Sequence, residues 1–369
     1  MKKVLFLIPN LMHGGAEKVL VNLVNNLDKS KFDVTVGTLF DCGENKADLL
    51  PDVHYYSVYK KQFRGNSHYF KLFSRRMLYK KFVKGNYDIV VSYLEGVTAR
   101  AVSGCNDESI NKVSWIHIEQ KDKKTLAQSF RSYKECADAY NSFDLNVCVS
   151  YAVKEDFTSL IKLDTRCAVL YNTIENEKIK KLSKEPIEFI YDKEKINLTV
   201  VGKLAENKGC MRILKSLKRL KNSGVDVYTV TFLGIGSIEN KMKKYMLDND
   251  LSENVRLLGY KINPYKYVSR SDALLCASYA EGFSTSATEA VIVGTPVLTV
   301  NVSGMAELIG ESGCGVIVDN TDEKLYNMLK YYSDKKELLV SMRENALNRA
   351  KIFSLEKTVK EVEDMLESL

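Results

Sequence analysis

Two carboxylates eight residues apart, Glu281 and Glu289, bracket the segment Glu281-Gly282-Phe283-Ser284-Thr285-Ser286-Ala287-Thr288-Glu289. Ionised carboxylates are acceptor-only groups, so a pair at a loop-to-helix junction suits a polyhydroxylated ligand such as a sugar or a ribose. Glu289 has a plainer reading, because Ser286-x-x-Glu289 is a capping box that would satisfy a helix start with no ligand. Glu281, in a loop before a glycine, closes no obvious local motif. Upstream lies Gly202-Lys203-Leu204-Ala205-Glu206-Asn207-Lys208-Gly209. Lys203 and Lys208 could converge across this turn on a diphosphate at a helix start, or simply be two solvated lysines. Asn207 is the expected N-cap of the helix that follows.

Near the start, His13-Gly14-Gly15-Ala16-Glu17 puts paired glycines where a helix should begin. Bare amides there, helped by the helix dipole, can approach an anion. The competing reading is a tight turn that needs glycine for positive φ. The spacing is not GxGxxG, so a dinucleotide fingerprint is absent from this loop. His117, in Trp115-Ile116-His117-Ile118-Glu119, ends an expected strand and is one of four histidines in the chain. A lone histidine at such a place is more often structural than reactive.

These residues need a scaffold that gathers loops, and the hydrophobic pattern supplies one. Short apolar runs alternate with helical periodicity from end to end. In the first half the expected strands are 4–8, 34–39, 53–58, 88–92, 113–118, 145–150 and 168–171. The pattern restarts with 196–201, 228–233, 255–258, 273–276, 296–300 and 315–318, and three helical segments follow residue 322. Such alternation implies right-handed crossovers and parallel sheets covered by helices, in two doubly wound Rossmann-like domains facing across a cleft. Residues 175–195, charged and without a convincing strand, mark the joint. The domains are therefore placed at 1–180 and 181–369, with the last helices able to pack back on the first. In such sheets ligands bind beyond the carboxyl ends of the strands, where the loops above lie.

Composition narrows the class. The 369 residues are 45% hydrophobic and 27% charged, as in a folded globular chain. No window approaches the roughly 20 apolar residues of a membrane span. The apolar run after Met1-Lys2-Lys3 stops at Pro9, which fits a buried strand better than a signal peptide. Eight scattered cysteines without CxxC point to reduced, mostly buried thiols in a cytoplasmic protein, not to zinc or a disulfide framework. Asp248-Asn249-Asp250 imitates a metal motif but reads as a helix-terminating loop. No metal or cofactor is expected. The net charge of +7 sits in the first half, where residues 1–185 hold 29 Lys and Arg against 22 Asp and Glu. Residues 60–84 carry nine basic residues and no acidic one. Phe70, Phe73, Met77 and Phe82, among Lys71, Arg75, Arg76, Lys80 and Lys81, could form a basic amphipathic helix for an anionic membrane surface. No nucleic-acid motif accompanies them.

Taken together and in order, the loops resemble those of retaining glycosyltransferases of family 4, which have the GT-B fold. The likeness covers nearly the whole chain. It rests on Gly14-Gly15-Ala16-Glu17, on Gly202-Lys203 through Lys208-Gly209, and on Glu281 through Glu289, followed by Gly294-Thr295-Pro296-Val297 and Ala306-Glu307-Leu308. The resemblance implies that Lys203 and Lys208 neutralise a diphosphate leaving group, and that Glu281 holds the donor sugar's hydroxyls. It implies that Glu289 binds the ribose, that Gly15 meets the distal phosphate with Gly14 beside it in the donor site, and that His117 lies near the reacting sugar. Gly202, Gly282, Phe283, Ser284 and Thr285 join the donor site, and Tyr260 falls where the nucleobase is held. The family most often has arginine where Lys203 stands, so the planar fork is lost and anchoring is looser.

The implied reaction moves a sugar with retention, without a metal, from a nucleotide-diphosphate sugar, with UDP favoured, to a saccharide or lipid-linked saccharide acceptor. Capsule, O-antigen or exopolysaccharide assembly is the expected setting, with the enzyme peripheral on the inner face of the cell membrane. Two rivals remain at this point: a nucleotide-sugar 2-epimerase, and a non-catalytic sugar-nucleotide-binding partner of another transferase.

Overall fold

The computed structural model describes residues 1–12 and 14–369; His13 lies outside the described residues. The chain divides into two compact units, residues 1–174 with 355–369, and residues 175–354.

The first unit is built on a seven-stranded sheet. Its strands are β1 (Lys2–Ile8), β2 (Phe32–Phe40), β3 (His54–Tyr59), β4 (Ile89–Ser92), β5 (Asn111–Ile116), β6 (Leu145–Cys148) and β7 (Arg166–Val169). Their order is β3-β2-β1-β4-β5-β6-β7, parallel throughout. Val4, Leu5, Phe6, Leu7 and Ile8 are all fully buried. Helices cover both faces, so a central strand reads as a continuous apolar run and not as an alternation. The helix Gly15–Asn26 lays Val19, Leu20, Leu23 and Val24 inward, one helical stripe.

The second unit has β8 (Ile196–Val201), β9 (Tyr228–Leu233), β10 (Val255–Leu257), β11 (Ala273–Cys276), β12 (Val297–Val300) and β13 (Gly315–Val318). The order β10-β9-β8-β11-β12-β13 repeats the logic of the first sheet. Each sheet starts in the middle, grows one way, then crosses back beside its first strand. The reversal falls between β1 and β4 in one sheet and between β8 and β11 in the other. All thirteen strands lie within two residues of the expected ends.

Three expectations need correction. The unit boundary falls at residue 175, because the helix Asn176–Ser183 is held by the second unit: Asn263 donates to the Leu182 carbonyl at 2.9 Å, and Arg270 to that of Ser183 at 3.0 Å. At the other end the expected return to the first unit does occur, but for the last helix alone, Leu355–Glu367. There Lys2 Nζ caps the carbonyls of Leu366 and Glu367 at 3.0 and 2.9 Å, and Lys31 pairs with Glu367 at 2.7 Å.

The third correction concerns the basic segment, which is two short helices, Asn66–Lys71 and Arg75–Phe82. Ser74 starts the second by accepting the Met77 amide, while fully buried Arg100 ends the first through the Phe70 and Phe73 carbonyls, both at 2.8 Å. Phe70 and Phe82 are core residues, 1% and 0% exposed. The outward apolar side chains are instead Leu72, at 76%, and Met77, at 54%. Elsewhere the helix Glu239–Asp248 ends in a polar loop where Asp250, at φ 55°, holds Lys221. All eight cysteines are free thiols, six of them buried.

Candidate functional site

The reversal point of the second sheet is where the two lysine and carboxylate motifs meet. After β8 the chain passes Gly202 and Lys203, makes a short turn over Glu206–Lys208, and enters the helix Cys210–Asn222. Gly209 sits between turn and helix with φ +68°, and a Cβ there would overlap the Ala277 carbonyl. Glycine therefore lets the loop after β8 press against the end of β11. The consequence is chemical. Lys208 Nζ reaches Glu281 Oε1 at 2.6 Å, and Ser278 Oγ donates to the same oxygen at 2.6 Å. These three side chains line a pocket with Gly202, Lys203 and Ser286. Lys203 stands exposed at its edge.

Asn207 does not cap the helix; its carbonyl instead accepts the Tyr279 amide at 2.8 Å, and Gly209 occupies the cap position. Arg212, missed in the sequence, fixes the loop after β11. The residue is 3% exposed; its guanidinium bonds Ala277, Asn320 and Asp322, and lies over the Tyr279 ring at 4.5 Å. A lone arginine inside an otherwise apolar helical stripe was the available signal.

Glu289 lies on the helix Thr285–Ile292, buried at 7% exposure, with the Tyr265 hydroxyl 3.3 Å from Oε1. The capping box does not form. Ser284 is the N-cap, accepting the Ala287 amide, so Ser286 is already helical and Glu289 lies two residues past the place a capping box needs it. Phe283 is buried against Phe353, 5.5 Å between ring centres, and holds Gly282 and Ser284 in a buried entry to that helix. Tyr260 follows β10 and is 47% exposed.

The remaining candidates lie at the carboxyl ends of β1 and β5. Gly15 opens its helix and Gly14 is extended at φ −124°, so neither needs glycine for positive φ. A Cβ at Gly14 would meet only the carboxylate end of the flexible Glu17 side chain, which can move aside, so space does not demand glycine there either. That carboxyl lies against the helix start, and burial raises its pKa.

His117 is the first residue beyond β5, its ring 4.7 Å from Tyr93 and 6.3 Å from Trp115. Nε2 is buried without a hydrogen-bond partner, and burial pushes the imidazole down to about 3, so it is neutral at pH 7. Glu95, which sequence reasoning passed over, accepts the amides of His117 at 3.3 Å and Ile118 at 3.1 Å. Burial pushes it up to about 7 despite those bonds.

These two groups pull stability in opposite directions with pH. Between pH 3 and 6.5 the unfolded chain binds a proton at His117 that the fold refuses, so stability rises with pH. Between pH 4.5 and 7 the fold binds a proton at Glu95 that the unfolded chain has lost, so stability falls with pH. Glu95→Gln removes the falling contribution alone. Its stability should gain on wild type by about 1.4 kcal/mol per pH unit across that second window. Urea unfolding from pH 4 to 8 measures this, and parallel curves would contradict it.

Against this geometry the family can be placed. A model of glycosyl transferases group 1 matches residues 183–349, and one of glycosyltransferase family 4 matches residues 13–178. The chain belongs to glycosyltransferase family 4. Among family relatives, an N-acetylgalactosamine-N,N'-diacetylbacillosaminyl-diphospho-undecaprenol 4-alpha-N-acetylgalactosaminyltransferase of Campylobacter jejuni is 29% identical over 198 residues. That match covers 53% of this chain and 52% of the relative, about half its length. A second C. jejuni enzyme, a GalNAc-alpha-(1->4)-GalNAc-alpha-(1->3)-diNAcBac-PP-undecaprenol alpha-1,4-N-acetyl-D-galactosaminyltransferase, is 26% identical over 96% of this chain and 95% of its own. Among solved structures, Anabaena HepE in complex with UDP and glucose superposes with a TM-score of 0.76 over the full length of both chains, at 16% identity. TarM of S. aureus, in a complex that includes UDP, gives 0.74 at 13% identity and covers 99% of each chain. The family 4 chain thus has the GT-B fold of two Rossmann-like domains. No described helix is long and apolar enough to cross a membrane.

Proposed function

We propose that this chain is a retaining, metal-independent glycosyltransferase that moves a sugar from a UDP-sugar to a saccharide or lipid-linked saccharide acceptor in surface polysaccharide assembly. The observation that carries the reading is the Lys208–Glu281 pair, 2.6 Å apart, at the reversal point of the second sheet. A cation and an acceptor-only carboxylate in one pocket match the two ends of a sugar diphosphate. UDP in the HepE and TarM complexes supports the base, and the diphospho-undecaprenol acceptors in the C. jejuni names support a lipid-linked acceptor.

The chemistry then divides among the residues. Cleavage of the bond from the anomeric carbon to phosphate leaves an oxocarbenium-like centre and new negative charge on the diphosphate. Lys208, Lys203 and the start of the helix Cys210–Asn222 stabilise that charge as it develops. Glu281 trades its ion pair for the sugar hydroxyls, and Glu289 holds the ribose. The acceptor oxygen bonds the anomeric carbon on the face the phosphate leaves, and its proton passes to a phosphate oxygen. We assign Gly15 and His117 of the first unit the roles the family gives them. UDP release from UDP-sugars, with EDTA present, tests the reading. Activity lost with EDTA and restored by a divalent cation would contradict the metal-free mechanism.

Membrane attachment takes a revised form. Leu72 and Met77 project among exposed Arg76, Lys80 and Lys81, a small apolar tip in a basic field suited to an anionic bilayer. Leu72→Asp with Met77→Asp should abolish co-sedimentation with phosphatidylglycerol vesicles at low salt. Undiminished binding would remove this surface from the account.

A further inference from the structure

The two sheets carry one short motif at corresponding strands. β4 ends on the first residue of Ser92-Tyr93-Leu94-Glu95-Gly96, and β11 ends two residues before Ser278-Tyr279-Ala280-Glu281-Gly282. Both strands flank the first strand of their sheet on the side where the order reverses. Glu95 therefore holds in the first unit the topological position that Glu281 holds in the second.

What the two carboxylates face is different. Glu281 meets side chains, Ser278 and Lys208, which line the same pocket beyond β8. Glu95 faces the chain that follows β5, through the amides of His117 and Ile118 and the Gln120 carboxamide at 3.4 Å. Gln120, 5% exposed, closes the same turn by donating to the Ile118 carbonyl at 2.8 Å. A carboxylate spent on two consecutive amides fixes where their side chains point. The first of those side chains is the imidazole packed on Tyr93 and Trp115, with Nε2 lacking any partner among the described residues.

We propose that Glu95 is a positioning residue for the transfer reaction, acting through His117 by clamping the turn beyond β5. The clamp keeps the imidazole in one pose and leaves Nε2 for substrate. This inference rests on the transferase reading and assigns Glu95 no contact with substrate.

The test is a double-mutant cycle read by UDP release from UDP-N-acetylgalactosamine, UDP-N-acetylglucosamine and UDP-glucose. Glu95→Ala and His117→Ala should each lower kcat by about 10²-fold, the scale of a displaced group, with little change in KM. The double variant should be no slower than the worse single one, because both remove the same contribution. Glu95→Gln, which keeps the shape and one acceptor oxygen, should fall between wild type and Glu95→Ala, and it carries the cycle if the alanine variant does not fold. Amide hydrogen exchange should quicken at His117 and Ile118 in the Glu95 variants and stay unchanged in β1 and β4. Losses that multiply in the double variant, or a raised KM with kcat intact, would overturn the proposal. Exchange unaltered at both amides would overturn it as well. A wild-type protein inactive with every UDP-, GDP- and ADP-sugar would instead defeat the transferase reading, while the exchange measurement still decides whether the clamp exists.

Discussion

Lys208→Ala should lower kcat by about 10²–10³-fold, the usual consequence of removing one preorganised group that stabilises developing charge. That is about 2.7–4 kcal/mol of lost transition-state stabilisation. The loss has two sources. The diphosphate loses a cation where its charge grows, and Glu281, now bonded only by Ser278, keeps a bare negative charge beside it. UDP itself should therefore bind more weakly. The fold should survive, because the Lys208 side chain is one-third exposed and its loss can be made good by water. Lys208→Arg keeps the charge and should recover part of the rate. Steady-state kinetics with a UDP titration and a melting curve measure all three effects. Wild-type kcat in Lys208→Ala would remove the lysine from the mechanism.

Glu281→Ala should be as damaging to transfer and yet opposite in its effect on UDP. Hydrogen bonds to a charged group are each worth about 1.5–3 kcal/mol, so losing two sugar hydroxyl contacts costs about 10²–10⁴-fold in kcat/KM. Free of its carboxylate partner, Lys208 becomes fully available to phosphate, and UDP should bind as tightly as to wild type or tighter. Glu281→Gln keeps the shape but returns Lys208 only a neutral amide, so it should behave like the alanine variant toward UDP. The pair of substitutions thus separates the diphosphate end from the sugar end. If Glu281→Ala weakened UDP as much as Lys208→Ala does, the division of labour between them would be wrong.

The strands were readable because parallel strands covered on both faces must be apolar at every position, as Val4 to Ile8 and Ala273 to Cys276 are. The lysine and carboxylate motifs were readable one by one, but not their pairing. Lys208 and Glu281 meet only because β8 and β11 are neighbours, and strand order leaves no trace in local periodicity. The helix caps were misjudged for a related reason. Asn207 and Ser286 are sound capping residues, yet the close approach at Gly209 and the bonding of Ser284 moved both helix starts. Phe70 and Phe82 looked like a membrane face because amphipathic spacing marks a buried stripe without saying what buries it. Arg100, an arginine far along the chain, folds that stripe inward. Glu95 carried a signal after all, since it repeats the Ser-Tyr-x-Glu-Gly pattern around Glu281.

The most direct test of a donor site built on Lys208 and Glu281 is the thermal stabilisation of wild type and Lys208→Ala by UDP-, GDP- and ADP-sugars, with EDTA present. A ligand at 100 times its Kd adds about 2.7 kcal/mol to the folded state. A shift with UDP-sugars in wild type, largely lost in Lys208→Ala, is the result expected. No shift with any of the nucleotide sugars, or an equal shift in both proteins, would contradict the site.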